Sequence, residues 1–322
     1  MAKKTVLIFG ISSFVGSNLA EFLKKDYRIV GTYHKTSVKI DGVLTLPCDV
    51  LAKDEVQLVF YATTPDIVIY AVGLTSLLDC NEANDYADAL NTVGLFNVSD
   101  NSQRYKSLVV YLSSHYVFSG EKKLYREMDT PDPNTTLGKT KASAEFYLQK
   151  NSLNYLILRV GTLYGRSVHP AQQTIFEKLE RVLFSGNIFS ADSNIFVGFL
   201  DIYFLGMILK LLLEREERNR LFQVSSKDIV TYAQFSKYYA TIFGYGESSV
   251  SKTRWPIPLL DLPRGVDSTD VKLYFDMDIM NVETTLGIDM PTVEESLQFS
   301  FRRFNGQEHK KKRAQGSHIN FI

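Results

Sequence analysis

The chain predicts a doubly wound α/β fold, a parallel sheet covered by helices on both faces, and three observations predict it. Short apolar runs that do not alternate with polar residues recur along the first half. A strand apolar on both sides must be covered on both sides. Segments with apolar residues at helical spacing lie between these runs, and a glycine- and serine-rich turn joins the first run to the first such segment.

Taken in order, residues 5–9 (Thr-Val-Leu-Ile-Phe) are short, β-rich and apolar, and read as a strand. Residues 14–25 follow as a helix, since Val15, Leu19, Phe22 and Leu23 recur on one face. The rhythm repeats with strands at 28–32 and 43–46, a helix at 54–62, a strand at 67–71 and a helix at 82–98. A strand at 108–112, a helix at 139–149 and a strand at 155–158 complete the alternating part. Beyond about residue 165 the spacing loosens, with helices expected at 172–184, 204–214, 232–243 and 293–304 and a strand at 221–224. Pro256, Pro258 and Pro263 mark an irregular connection. Residues 1–165 are expected to form the cofactor-binding domain, with 190–228 returning to it. Residues 166–304 otherwise form a smaller substrate-side lobe, and 305–322 a basic flexible tail.

Composition narrows the function. The 322 residues contain 36 Lys plus Arg and 36 Asp plus Glu, so no basic excess points to nucleic acid. Lys310, Lys311, Lys312 and Arg313 against Glu308 put +3 in the tail, which leaves −3 for residues 1–304. Two cysteines, Cys48 and Cys80, make neither a disulfide scaffold nor a C-x-x-C metal pattern. The apolar run after Lys4 is too short for a signal peptide, and the most apolar stretch, 195–213, holds Asp201, Lys210 and two glycines, against a membrane span. A cytoplasmic protein is expected.

The turn Gly10-Ile11-Ser12-Ser13-Phe14-Val15-Gly16 sits between a strand and a helix. Helix N-termini present unpaired N–H groups and a partial positive charge, and glycines let a pyrophosphate approach the backbone. Gly10, Ser12, Ser13, Phe14, Val15 and Gly16 are therefore candidates for holding a dinucleotide, with Ser13 standing where a glycine is usual. The second strand ends Gly31-Thr32-Tyr33-His34-Lys35 with no acid for a ribose hydroxyl. His34 and Lys35 suit a 2′-phosphate, so NADP(H) is expected over NAD(H). Asp49 after the third strand belongs near the adenine, and Val50 and, at the end of the fourth strand, Ala71 are further cofactor candidates.

Together with Gly10–Gly16, the blocks Ser113-Ser114-His115-Tyr116-Val117-Phe118-Ser119-Gly120, Leu137-Gly138-Lys139-Thr140-Lys141 and Leu158-Arg159 to Tyr164-Gly165 resemble an extended short-chain dehydrogenase/reductase. The resemblance is nearest to dTDP-4-dehydrorhamnose reductase and the similar regulatory β subunit of methionine adenosyltransferase. It implies a Tyr-x-x-x-Lys pair, in which the tyrosine exchanges a proton as hydride moves and the lysine lowers its pKa and holds the ribose. Lys141 and Ser114 fit the lysine and hydroxyl positions; the tyrosine position is Leu137, and none of the 18 tyrosines has a lysine four residues later. His115 and Tyr116 are the candidates for a replacement acid. Asn91 matches the family's helix asparagine, Thr75 a substrate-contacting threonine, and Arg264 suits a substrate diphosphate.

The resemblance implies an NADP-dependent reductase of a nucleotide-linked 4-keto-6-deoxy sugar. Leu137 and Ser13 instead favour an inactive regulatory or scaffolding subunit that binds NADP or a sugar nucleotide, and a dehydratase or epimerase is the third reading. The expected company is a nucleotide sugar and either a second copy or a partner enzyme, with no metal.

Overall fold

The computed structural model describes residues 3–168, 173–260 and 267–304. Seven parallel strands form the main sheet: β1 (Thr5–Phe9), β2 (Arg28–Tyr33), β3 (Leu44–Pro47), β4 (Ile67–Tyr70), β5 (Leu108–Ser114), β6 (Tyr155–Val160) and β7 (Arg220–Val224). Their spatial order is β7-β6-β5-β4-β1-β2-β3. Every residue of β1 and β4 is buried, as the unbroken apolar runs require. The chain leaves β1 toward β2 and β3, then crosses back to β4 on the other side. Such a reversal opens a crevice at the strands' C-terminal ends, between β1 and β4.

On one face lie α1 (Phe14–Leu23) and α6 (Ile202–Glu214), and on the other α2 (Lys53–Thr63), α3 (Gly94–Tyr105) and α4 (Thr136–Asn151). Gly206 lets α6 close on α1, since a Cβ there would fall 2.9 Å from the Phe22 ring. Two further helices, α5 (Ile175–Phe184) and α7 (Tyr232–Ile242), join α8 (Val293–Phe304) in the smaller lobe. There Ile195–Val197 lies between Val230–Thr231 and Leu273–Phe275, and Phe189–Asp192 pairs with Val250–Thr253.

Two departures from the sequence expectation have physical causes. The single helix expected at 82–98 is broken: Leu77–Glu82 and Asn84–Asp88 precede a π turn at Ala89–Val93 and then α3. The Tyr70 hydroxyl donates to the Leu90 carbonyl at 2.5 Å, and the Gly94 N–H bonds instead to Ala89 five residues back. Gly94 also makes room for Tyr70, whose oxygen lies 2.5 Å from where a Cβ would stand. In the second departure, Met280–Leu286, expected in the smaller lobe, packs Val282 and Leu286 into the core shared by the main sheet, α1 and α6. The helix expected from residue 172 starts at Ile175, behind a Thr174–Glu177 capping box, and residue 172 lies outside the described residues. The tail 305–322 lies outside them too.

Candidate functional site

A cleft of about 220 Å³ opens between the ends of β1, β2 and β4. Gly10, with φ +81°, turns the chain there, and a Cβ on it would fall 2.7 Å from the Ala71 carbonyl oxygen. Gly16 packs α1 against that turn, since its Cβ would stand 2.3 Å from the Gly10 carbonyl oxygen. Ser13 is the N-cap of α1 and accepts from the Gly16 N–H at 2.9 Å. Its oxygen thus takes one of the helix donors.

Of the expected cofactor residues, Gly10, Ser12, Ser13, His34, Lys35, Asp49, Val50 and Ala71 all line this cleft. Phe14, Val15 and Gly16 do not: the first two pack against the core beneath α1, and Gly16 is buried on Gly10. The His34 Nε2 lies 3.8 Å from an Asp49 carboxylate oxygen, both half-exposed. Asp49 is itself fixed, accepting from Leu51 N–H at 2.9 Å while its own N–H donates to Glu55 at 2.7 Å. Cys48 lines the cleft floor; burial, and then the carboxylates of Glu55 and Asp49, push its thiol up to about 12. Sequence reasoning missed Tyr86 and Leu90, which close the far wall, because the broken helix that carries them was read as continuous.

The ends of β5 and β6 carry the other group of expected residues. Lys141 on α4 is 6% exposed; its Nζ donates to the Leu112 carbonyl at 3.0 Å and stands 5.1 Å from the Tyr111 ring centre. Burial lowers its pKa to about 8, against smaller opposing pulls from Cys80 and Glu145. Leu137, one turn earlier, is 3% exposed and packs in the cluster that holds Cys80, Ala87 and Tyr116. Ser114 is half-buried, and its hydroxyl accepts from the Tyr116 N–H at 3.3 Å. Asn91 on the π turn donates to the Leu74 carbonyl at 3.1 Å and to the Thr140 hydroxyl at 3.0 Å, tying the loop before the exposed Thr75 to α4. Its buried Oδ1 has no hydrogen-bond partner and sits against Gly73, where a Cβ would be 2.2 Å away.

His115 and Tyr116, the candidates for a replacement acid, both face other groups of the chain in this structure. The His115 Nδ1 faces the Val160 carbonyl at 3.3 Å, and a carbonyl only accepts, so the proton is on Nδ1. The Nε2 is buried without a partner, the ring is flanked by Tyr116 and Phe275, and burial lowers its pKa to about 4. A neutral imidazole whose one N–H is engaged has no proton to deliver. The Tyr116 hydroxyl is buried and bonded to the Tyr232 hydroxyl, and burial raises its pKa. Arg264 lies outside the described residues.

A buried ion pair that sequence reasoning did not single out anchors α4. Glu145 receives the Arg159 Nε at 3.0 and 3.1 Å and an η nitrogen at 2.7 Å, and also the Ser113 hydroxyl at 2.5 Å. Its four-residue spacing from Lys141 was the available signal. Among the described residues no cluster of His, Cys, Asp and Glu is placed to hold a metal, and no helix is long and apolar enough to cross a membrane.

Residues 4–183 match the family model for the RmlD substrate binding domain. The chain belongs to this family. Among curated relatives, the bovine (Bos taurus) methionine adenosyltransferase 2 subunit beta is 26% identical over 191 residues, 59% of this chain and 56% of that protein. The chain therefore aligns to little more than half the length of that relative. A probable low-salt glycan biosynthesis reductase, Agl14 of Haloferax volcanii, is 22% identical over 303 residues, covering 90% of this chain and 95% of the relative. Among solved structures, Bacillus anthracis dTDP-4-dehydrorhamnose reductase in complex with NADP superposes with a TM-score of 0.78 at 20% identity, covering 94% of this chain and all of the other. The dTDP-glucose 4,6-dehydratase of that organism in complex with NAD gives 0.75 at 13% identity, over 95% and 98% of the two chains. These likenesses show that the chain has the fold of the extended short-chain dehydrogenases/reductases.

Proposed function

We propose that this protein binds NADP(H), in preference to NAD(H), and a nucleotide-linked sugar, and acts in the cytoplasm as a ligand-binding regulatory subunit without tyrosine-dependent hydride transfer. The observation that carries this reading is Leu137, buried where the family's proton donor stands, with the His115 N–H and the Tyr116 hydroxyl both turned to other groups of the chain. The cleft suits the cofactor: Gly10, Ser12 and Ser13 line it, α1 directs its N-terminus there, and His34 and Lys35 stand on the edge suited to a 2′-phosphate. A bound nicotinamide would supply hydride chemistry; of the chain's own groups, Lys141 would hold a ribose hydroxyl and Ser114 a ligand oxygen. The β-subunit likeness supports a regulatory role and a partner enzyme.

A second reading, a reductase, is favoured by the retained Lys141 and Ser114 and by the reductase likeness across 90% of the chain. The deciding experiment titrates NADPH and NADH into the protein, then follows NADPH oxidation with a dTDP-4-keto-6-deoxy sugar. Tighter NADPH binding with no turnover above a Lys141→Ala control is expected. Turnover that this substitution abolishes overturns the non-catalytic reading, and failure to bind either nucleotide overturns the cofactor assignment.

A further inference from the structure

We infer that Tyr232, Trp255 and Thr162 form a ligand-contacting corner in which the Trp255 indole stacks on a saturated, hydroxyl-bearing ring and the Tyr232–Thr162 hydroxyl pair hydrogen-bonds one of its oxygens. The inference rests on the nucleotide-sugar reading above and assigns the sugar end to these residues.

The corner stands at the edge where ligands of such sheets bind. Thr162 lies two residues beyond Val160, the register partner of Ser114 on β5, and begins the short strand Thr162–Tyr164, which pairs with Phe199–Asp201. Tyr232 is the first residue of α7, behind its N-cap Thr231. Its ring is set edge-on against Phe199, with centres 5.0 Å apart, and tilted against Trp255, also at 5.0 Å. Tyr232, Trp255 and Thr162 are all partly exposed, whereas their supports are buried.

Those supports hold the corner in one geometry. Trp255 lies in an irregular segment next to Pro256, yet its N–H donates to Asp192 at 2.8 Å. Asp192 is fully buried, and its other oxygen accepts from the N–H groups of Asn194 and Ile195 at 2.8 and 2.7 Å. One carboxylate thus fixes both the turn at residue 194 and the backbone of the indole. A preorganised aromatic face next to aligned hydroxyls is what recognition of a sugar ring requires, because the ring offers C–H groups on its face and hydroxyls at its edge.

Hydrogen-bond counting leaves the corner a proton to donate. Each hydroxyl has one proton and two lone pairs. The buried Tyr116 hydroxyl is bonded to that of Tyr232, and Thr162 Oγ1 lies 3.3 Å from the same oxygen. Three hydroxyls joined by two hydrogen bonds use two of their three protons between them, so one is left for a ligand oxygen. Tyr232 also comes from the smaller lobe, so a ligand touching it and the cleft bridges the two lobes.

Trp255 is the only tryptophan in the chain, so intrinsic fluorescence reports on this corner alone. The full-length protein is titrated with dTDP-glucose and with dTDP, which lacks the ring. A saturable fluorescence change with dTDP-glucose, larger than with dTDP, is expected. By calorimetry, Tyr232→Phe and Trp255→Ala should each weaken dTDP-glucose binding about five- to tenfold, the worth of one hydrogen bond or one stacking contact. Their affinities for dTDP and NADPH should stay within about twofold of wild type. Equal affinity of wild type for dTDP-glucose and dTDP, or losses in the variants that affect dTDP and NADPH equally, overturn the assignment. Wild type that binds NADPH but not dTDP-glucose overturns the corner and leaves the cofactor reading standing. Wild type that binds dTDP-glucose but not NADPH does the reverse.

Discussion

Replacing Lys141 by Met should stabilise the free protein at pH 7. The ammonium is 6% exposed and has a single hydrogen bond, to the Leu112 carbonyl, with the Tyr111 ring as its other close support. Burial lowers its pKa from 10.5 to about 8, a gap worth roughly 3 kcal/mol against the charged form. Methionine fills a similar volume without charge, and loss of the hydrogen bond returns about 1 kcal/mol, so a net gain of about 2 kcal/mol is expected. At roughly 2.1 cal/mol/K of unfolding entropy per residue, that gain raises the Tm of a chain this size by about 3 °C. The gain depends on pH in a defined direction. Below pH 8 Lys141 is charged in both states and the penalty is complete; between about 8 and 10.5 the unfolded chain keeps a proton that the folded protein has released. Raising the pH through this window therefore stabilises wild type, and the advantage of Met disappears by about pH 10.5. Thermal unfolding of both proteins by circular dichroism at pH 7 and pH 10 measures this directly. A Lys141→Met protein less stable than wild type at pH 7, or an advantage that does not shrink with pH, refutes the reasoning.

Three further outcomes follow from the same geometry. Glu145→Leu leaves Arg159 buried without its carboxylate and should cost about 3–5 kcal/mol, a fall in Tm of roughly 6 °C that Arg159→Met in the same chain partly restores. The His115 ring should stay neutral in NMR spectra from pH 8 to 5; since its pKa is about 4 in the folded protein and ordinarily 6.5, stability should fall as pH drops through that interval, less steeply in His115→Phe. Burial pushes the Cys48 thiol up to about 12 and that of Cys80 to about 11, so both should ignore Ellman's reagent at pH 7.5 until the protein is unfolded.

What the sequence disclosed and what it hid divide along the range of the interactions concerned. β1, β4 and the glycine turn were legible because apolar continuity and a strand-turn-helix order are local properties. Leu137 was legible because its register with Lys141 is four residues along one helix. The π turn was not, since it depends on a hydroxyl from Tyr70 reaching Leu90 across the sheet layer. The state of His115 was not legible either: its proton is placed by a carbonyl on β6 and its surroundings are completed by Phe275, far along the chain. The Met280–Leu286 helix has an apolar face like any other, and only the return of β7 to the sheet edge decides which core receives it.

The two halves of the site differ in a way that bears on the proposed role. His34, Lys35 and Asp49 remain accessible around the nucleotide cleft. Leu137, Lys141, His115 and Tyr116, where proton and hydride chemistry would take place, are each less than a tenth exposed. Keeping an ammonium at that depth destabilises the free protein, and an apolar residue would remove the cost. With Leu137 in the place of the family's acid, the proposed ligand gives the lysine its role: a bound ribose hydroxyl would give the ammonium a further acceptor. Occupancy of the cleft would then be felt at α4, which Lys141 and the Glu145–Arg159 pair fasten to β5 and β6. On the proposed regulatory reading, a ligand that set the tightness of that helix would need the lysine and not the tyrosine. On this reasoning NADPH should stabilise wild type more than Lys141→Met, even though the variant is the more stable of the two without ligand.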